Sequence, residues 1–173
     1  MSRQESTSDI ARLRSGHRVA LDPWTRQVLD RAEEIRLASD GLFDCVACDY
    51  SLDGIAKGFA VDRAVECLRA AGMTRGAVNA GGDLRVFGEV WQPLHIRSGD
   101  RLIYIGEIRD AAVATSASAG LRRPRGGDAS AAGATVMAED CMTADALTKP
   151  CMLEPRRASE LAGRVGARVL RVE

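Results

Sequence analysis

The sequence lacks an excess of charge of either sign, because 24 Lys and Arg residues balance 24 Asp and Glu residues and the formal net charge is zero. A general nucleic-acid-binding protein needs a basic excess to displace counterions, so we expect no nucleic-acid partner. The sequence also lacks an apolar run near the roughly 20 residues that span a bilayer. Residues 1–6 show no apolar stretch of a signal peptide. From these absences we expect a cytoplasmic protein with no membrane span.

The sequence lacks an even number of cysteines, since the whole chain has five. An odd count without an export signal argues against a disulfide framework. Cys45 and Cys48 form a C-x-x-C pair, but no second C-x-x-C or H-x-x-x-H is present to complete a zinc site. We interpret Cys45 and Cys48 as ordinary half-buried thiols, and a metal-linked thiol protein that uses these two residues is the most distant alternative.

Hydrophobic residues make up 46 % of the 173 residues, which is enough to form a buried core. That length and composition predict one folded domain over residues 1–173. Residues 1–15 are polar and are interpreted as a partly ordered arm. Residues 121–133 have the composition of a loop.

Predicted helices and strands are mixed along the chain without regular β-α-β alternation, which indicates an α+β fold. Asp22 and Pro23 begin the first clear helix as its N-cap and first residue, and apolar residues from Trp24 to Leu37 recur at helical spacing. Further helices are predicted at about 57–71, 143–152 and 159–165. Strands are predicted at 76–79, 84–87, 94–96, 102–108, 112–115, 134–138 and 168–172, and the first and fifth of these are expected to be buried.

Residues 53–58 (Asp-Gly-Ile-Ala-Lys-Gly) stand directly before the second of these helices. Glycines there allow close backbone approach, and a helix N-terminus offers free N–H groups to an anion such as a phosphate. Lys57 adds a positive charge at the same place. The alternative is that the glycines serve chain geometry alone.

Residues 79–83 (Asn-Ala-Gly-Gly-Asp) follow a predicted strand. Paired glycines between polar residues make a tight turn at which a ligand can touch the backbone, and Asp83 stands at the end of that turn. A simple hairpin or bulge turn is the alternative interpretation.

Residues 144–149 (Ala-Asp-Ala-Leu-Thr-Lys) place a single Asp between alanines on an apolar helix. Burying a carboxylate is unfavourable unless it is paired or bound to a cation. A carboxylate and a nearby hydroxyl are oxygen ligands of the kind that Mg²⁺ or Ca²⁺ prefers. The alternative is an Asp that accepts from backbone N–H groups at a helix start.

Six short blocks, taken in their order, resemble one known family. Residues 52–63 (Leu-Asp-Gly-Ile-Ala-Lys-Gly-Phe-Ala-Val-Asp-Arg) resemble the signature of the ApbE-like FAD:protein FMN transferases. The other similar blocks are residues 8–13, 39–44 (Ser-Asp-Gly-Leu-Phe-Asp), 78–85 (Val-Asn-Ala-Gly-Gly-Asp-Leu-Arg), 112–116 (Ala-Val-Ala-Thr-Ser) and 144–147 (Ala-Asp-Ala-Leu). We therefore expect this family's flavin transferase fold in a compact or truncated form.

The resemblance implies a Mg²⁺-dependent enzyme that binds FAD, cleaves its pyrophosphate and attaches FMN to a Thr or Ser of a target flavoprotein. It places the metal on the carbonyl of Ala56 and the side chains of Asp145 and Thr148. We take Lys57 and Asp83 as the candidate catalytic residues. The predicted FAD-binding residues lie in the same blocks: Ser39, Asp40, Gly41, Phe43, Asp44, Gly54, Ala56, Lys57, Gly58, Asp62, Asn79, Gly81, Gly82, Asp83, Thr115 and Ser116. The acceptor flavoprotein is the expected partner, and a homo-oligomer is compatible with the sequence.

The chain departs from the family pattern at the metal-binding block. The family's Thr falls four residues after the Asp, where this chain has Lys149, and Thr148 is the nearest hydroxyl on the same helix face. A lysine at the metal either repels the ion or replaces part of its charge. We therefore expect Thr148 to substitute for the missing hydroxyl.

Two other segments also depart from the pattern. The family's His-x-x-Asp-Pro segment is not recognisable in residues 122–128, so Asp83 or Asp128 is expected to act as the base. A long insert of the family is missing between Asp44 and Asp53. These departures leave two alternatives to a flavin transferase: a weak or inactive FAD-binding homologue, and an FAD pyrophosphate hydrolase that releases FMN and AMP. Family members are often exported, although no export signal is seen here.

Overall fold

The structure, a computed structural model, describes residues 1–17, 20–98, 101–117 and 128–173. Within these ranges the helices are α1 (Asp9–Arg14), α2 (Pro23–Ala38), α3 (Ala56–Ala70), α4 (Cys141–Leu153) and α5 (Ala158–Gly163). The strands are β1 (Gly76–Asn79), β2 (Asp83–Phe87), β3 (Gln92–Ser98), β4 (Arg101–Ile108), β5 (Ala111–Ala117), β6 (Gly133–Ala138) and β7 (Arg168–Val172). The α+β prediction is confirmed. No helix in the described part of the chain is long and apolar enough to cross a membrane.

Five of the strands form one antiparallel sheet in the order β1-β2-β5-β6-β7. Strands β3 and β4 pair with each other as a separate two-stranded hairpin. This hairpin lies between β2 and β5 in sequence, although those two strands are neighbours in the sheet. Strand β5 therefore occupies the middle of the sheet.

Helix α4 is the central helix of the fold and packs against α3, α5, β5 and β6. Every residue of α4 except Lys149 is buried. Such complete burial is typical of a helix that is apolar around its whole circumference. Thr143, Asp145 and Thr148 break that pattern, so each polar side chain requires a partner inside the protein.

Helix α2 begins as the sequence predicts, since Asp22 accepts a hydrogen bond of 2.8 Å from the Trp24 backbone N–H. Its buried face is centred on Val28, Ala32 and Ile35. The prediction that Trp24 and Leu37 belong to this face was wrong, because their exposed fractions are 53 % and 63 %. Both residues lie at the margins of the buried face of α2. With 3.6 residues per turn, side chains at these positions point away from the core.

The interpretation of residues 1–15 as an arm was also wrong in part, because α1 forms within them. Ser8 caps α1 by accepting from the Ala11 backbone N–H at 3.2 Å, and Ile10 is fully buried in the main core. The predicted loop at 121–133 lies mostly outside the described residues, and its last residue, Gly133, opens β6. Strand β1 is half exposed rather than buried, because it lies at the edge of the sheet.

Candidate functional site

A cavity of about 740 Å³ opens where the start of α3, the end of β5 and the middle of α4 meet. We call it the first cavity. It brings together predicted site residues from four separate blocks of sequence: Phe43, Asp44, Gly54, Lys57, Thr115, Ser116 and Asp145. Lys149, Arg3, Leu42, Met152 and Leu153 are also among its lining residues. The cavity thus combines two ammonium groups and carboxylates with an apolar wall.

The start of α3 is pressed against the start of α4 at Gly58. A Cβ atom on Gly58 would lie 2.3 Å from the Cys141 carbonyl oxygen and 2.8 Å from Met142 Cα. Both are backbone atoms, so no side-chain movement could relieve the clash. Gly58 is therefore required for the two helices to approach, and its N–H donates to Asp145 Oδ2 at 3.3 Å.

Asp145 is buried and has a partner on each side. Its Oδ2 accepts from Gly58, whereas its Oδ1 is bound by the Lys149 ammonium. The Lys149 Nζ atom also lies 2.8 Å from the Asp145 carbonyl oxygen and 3.3 Å from Ser116 Oγ. Asp145 is thus paired with a lysine one helical turn further along α4.

Thr148 is directed toward protein groups. Its hydroxyl donates to the Asp145 carbonyl oxygen at 2.7 Å and lies 2.9 Å from Ser116 Oγ. It is fully buried and is not among the lining residues of the first cavity. In the described ranges, no three His, Cys, Asp or Glu side chains are grouped so that they could hold a metal ion.

Asp83 lies behind Lys57, with Lys57 Nζ 3.1 Å from Asp83 Oδ1. Asp83 is fully buried, and neither carboxylate oxygen has a hydrogen bond of normal geometry within the described residues. Burial and the nearby negative charge of Asp145 raise the pKa of Asp83 to about 6, and Lys57 opposes that rise. A carboxyl group of this pKa changes its charge close to neutral pH.

Asp62 lies on α3 and is bound to the start of α4. It accepts from the backbone N–H groups of Cys141 at 2.9 Å and Met142 at 2.8 Å, and from Arg85 Nη1 at 2.5 Å. Burial raises its pKa, and these three donors counteract the rise. Asp62 lies outside the first cavity, and its contacts assign it to holding α3, α4 and β2 together.

Only some residues of the 39–44 block line the first cavity. Phe43 and Asp44 line the cavity, whereas Ser39 is buried and accepts from the Phe43 backbone N–H at 3.0 Å. Gly41 has a φ of 78°, a left-handed conformation that favours glycine. Ser39 and Gly41 therefore shape the turn that places Phe43.

Asp40 of the same block faces α5 instead of the cavity. Arg157 Nη2 donates to its carboxylate at 2.7 Å and Arg164 Nη1 at 3.0 Å. These two hydrogen bonds lower the pKa of Asp40. Asp40 is not among the lining residues of the first cavity, so its predicted contact with FAD stays a prediction.

The 79–83 turn faces a second cavity, of about 750 Å³. Asn79, Gly81 and Gly82 line it, together with Thr115 and Ser116, which line both cavities. Gly82 has a φ of 103°, and its carbonyl accepts from the Thr115 backbone N–H at 2.9 Å. The turn is therefore docked on the end of β5.

Sequence reasoning missed Arg3, which lines the first cavity and whose Nη2 lies 3.1 Å from Asp53 Oδ2. No local pattern marks an arginine in a polar N-terminal segment as a site residue. Cys45 and Cys48 also line the cavity. Burial raises the pKa of Cys45 to about 11 and also raises that of Cys48, so both are thiols at neutral pH.

The model of the ApbE family matches residues 47–170 of the chain. The flavin transferase ApbE from Vibrio cholerae aligns with a TM-score of 0.83 at 20 % identity, over 98 % of this chain and 78 % of that one. The flavinyl transferase ApbE from Pseudomonas stutzeri, in its apo form, aligns with a TM-score of 0.78 at 20 % identity, over 96 % and 75 %.

A third solved structure, the ApbE protein from Thermotoga maritima, has a TM-score of 0.82 at 21 % identity, over 97 % of this chain and 79 % of that one. At these identities the likeness shows a shared fold. No curated protein sequence matches the chain significantly.

Proposed function

Because the chain belongs to the ApbE family, we propose that it is a flavin transferase that binds FAD and transfers the FMN part to a Thr or Ser hydroxyl of a target flavoprotein. The observation that carries this proposal is the first cavity, in which Lys57 and Lys149 stand beside an apolar wall. Its volume is within the range of sites for small molecules and cofactors.

The charge pattern of the first cavity suits a pyrophosphate. The ammonium groups of Lys57 and Lys149 both face it, and each is held by a buried carboxylate on its protein side. Phosphoryl transfer depends mainly on positioning and on neutralising the charge that develops on the phosphate oxygens. Phe43 and the apolar end of α4 provide a surface for an aromatic ring.

The transfer forms one P–O bond and breaks another. The acceptor hydroxyl oxygen attacks the phosphorus of the FMN half, the bond to the AMP oxygen breaks, and AMP leaves with the electron pair. The hydroxyl proton passes to a base or to water. We assign Lys57 to the phosphate charge, and Asp83, which is buried behind it, to holding the Lys57 ammonium in place.

The residues expected to hold Mg²⁺ do not fit a metal ion as they are arranged. Lys149 binds Asp145 Oδ1, the Gly58 N–H binds Oδ2, and the Thr148 hydroxyl donates to the Asp145 carbonyl. Of the predicted ligands, Ala56 lies at the first turn of α3 and offers only its backbone carbonyl. The proposed mechanism therefore assigns no step to a metal.

The test is incubation with FAD and a panel of flavoprotein acceptors in their flavin-free form, each with a free Thr or Ser at its flavin attachment site. Covalent flavin on an acceptor, seen by in-gel fluorescence and mass spectrometry, is the expected result, with AMP as the second product. Lys57→Met keeps a side chain of similar length but removes the positive charge assigned to the phosphate, so this variant should abolish labelling of the acceptor. Free FMN and AMP without labelling would instead support the hydrolase. Bound FAD that stays unchanged would support a non-catalytic binding protein, and absence of FAD binding would overturn all three.

A further inference from the structure

Lysine is used at only two positions, Lys57 and Lys149, among the 24 Lys and Arg residues of the chain. Both lysines line the first cavity, and each contacts a buried aspartate. Every other cationic side chain is an arginine, including those of the surface ion pairs. A lysine places a compact point charge where the broad planar guanidinium of arginine would need more room.

Lys149 is bound as a cation inside the protein. Its ammonium group has three N–H donors, and it has three oxygen atoms in reach: the Asp145 carboxylate, the Asp145 carbonyl and Ser116 Oγ. The side chain is only 16 % exposed. An ammonium surrounded by a carboxylate, a carbonyl and a hydroxyl has the kind of oxygen environment that also suits a small hard cation.

Gly54 makes room for the stem of Lys149. A Cβ atom on Gly54 would lie 3.0 Å from Lys149 Cε and 3.2 Å from Phe43 Cε2. The φ of Gly54 is not in the left-handed region, so its backbone conformation alone does not call for glycine. The absence of a side chain at Gly54 therefore fits a lysine that crosses the cavity wall at this point.

We propose that the Lys149 ammonium occupies the cation position next to Asp145, so that this protein binds the pyrophosphate of FAD without a divalent metal ion. The inference rests on the proposed function for its ligand. A divalent cation at the Asp145 carboxylate would have to displace the ammonium or lie beside it against like charge. Lys149 thus provides, as part of the chain, a positive charge that faces both Asp145 and the cavity.

The first test titrates Mg²⁺ alone into the protein without FAD, using isothermal titration calorimetry. The wild-type protein should give no saturable binding. Lys149→Thr removes the ammonium and leaves a hydroxyl on the same face as Asp145, so it should gain saturable Mg²⁺ binding. Lys149→Met, which has similar length but no oxygen, separates loss of the charge from gain of a ligand. Saturable Mg²⁺ binding by the wild-type protein would overturn the proposal.

The second test measures FAD affinity from flavin fluorescence, in EDTA and in Mg²⁺. The wild-type dissociation constant should be the same in both conditions. Lys149→Met should weaken binding in EDTA by about tenfold or more, as expected for loss of one positive charge beside the phosphates in a partly buried site. Far-UV circular dichroism and thermal unfolding confirm that each variant is folded, and the wild-type comparison decides the question even if a variant does not fold.

The two proposals fail in different ways. FAD binding by the wild-type protein only in Mg²⁺ would overturn the role of Lys149 and leave the flavin transferase proposal standing. Absence of FAD binding in both conditions would overturn the proposed function. The titration with Mg²⁺ alone would still decide whether Lys149 excludes the metal.

Discussion

Lys57 Nζ lies 3.1 Å from Asp83 Oδ1, and this ion pair joins a half-exposed cation to a fully buried carboxylate. The lysine faces the first cavity and the aspartate lies behind it, away from the cavity. A buried charge is unfavourable unless it is compensated, and here the compensation comes from a group that a ligand can reach. A phosphate bound to Lys57 would therefore alter the environment of Asp83 directly.

The pH dependence of stability should report on Asp83. Burial and Asp145 raise its pKa to about 6, so the folded state binds this proton more tightly than the unfolded chain, in which an Asp titrates near pH 4. Stability contributed by the protonated form is present below about pH 4 and is lost as the pH rises through about 6. Asp83→Asn has no carboxyl group to titrate and so lacks this loss. As the pH rises from about 4 to about 6, its free energy of unfolding should therefore increase relative to that of the wild type by about 2–3 kcal/mol. Urea unfolding across the range measures the difference.

Lys57→Met serves as the control for that measurement. Without the Lys57 charge, the pKa of Asp83 should rise further, and the loss of stability should extend to higher pH than in wild type. A stability difference between Asp83→Asn and wild type that does not change with pH would contradict the assignment.

Gly58→Ala should be strongly destabilising, because its Cβ would overlap the backbone of α4 at Cys141. We expect a loss of about 3 kcal/mol or more in the free energy of unfolding. Gly163→Ala is the matched control, since no atom lies within 4 Å of the added Cβ and its φ is not positive. It should be neutral or stabilising by up to about 1 kcal/mol. Equal effects from the two substitutions would contradict the helix contact.

Asp62→Asn tests whether this residue binds FAD or holds the fold. The substitution weakens three hydrogen bonds to a buried carboxylate and leaves Arg85 without its charge partner. We expect the free energy of unfolding to fall by about 2–4 kcal/mol, with FAD affinity of the folded protein unchanged. Reduced FAD affinity without loss of stability would instead support the cofactor contact expected from the sequence.

Asp40 and Asp44 form a matched pair within one block of sequence. Asp44 lines the first cavity, whereas Asp40 is bound by two arginines near α5. We expect Asp44→Ala to change FAD affinity and Asp40→Ala to leave it unchanged. Asp40→Ala should have little effect on stability, as is usual for exposed ion pairs. An effect of Asp40→Ala on FAD affinity would contradict this division of the block.

Features set by neighbouring residues could be predicted from the sequence. The start of α2 follows from Asp22 and Pro23, and the contact between Asp145 and Lys149 follows from their separation by four residues on one helix. Ser8 was an equally local signal for the start of α1. It was overlooked because a short helix is stable only when a residue such as Ile10 finds a core.

Features set by distant parts of the chain could not be predicted in this way. Asp62 accepts from Cys141 and Met142 of another helix, and nothing around Asp62 in the sequence indicates those partners. Likewise, the exposure of Trp24 depends on where α3 lies, because the Trp24 ring packs against Phe59 with centroids 6.2 Å apart and remains half open to solvent. Residue spacing thus predicts which side of a helix is buried, but it does not predict how far burial extends to residues at the margin of that side, such as Trp24.

The β3–β4 hairpin has a consequence for folding kinetics. Pairing of β2 with β5 closes a loop over residues 88–110, but the hairpin joins Gln92 to Ile108 locally and leaves only short connections at 88–91 and 109–110. If the hairpin forms first, the free-energy cost of closing the loop between β2 and β5, which is entropic, falls by roughly 1 kcal/mol. Substitutions that weaken β3–β4 pairing should therefore slow folding more than they accelerate unfolding. The rate at which the five-stranded sheet forms would then depend on β3 and β4, which are not strands of that sheet.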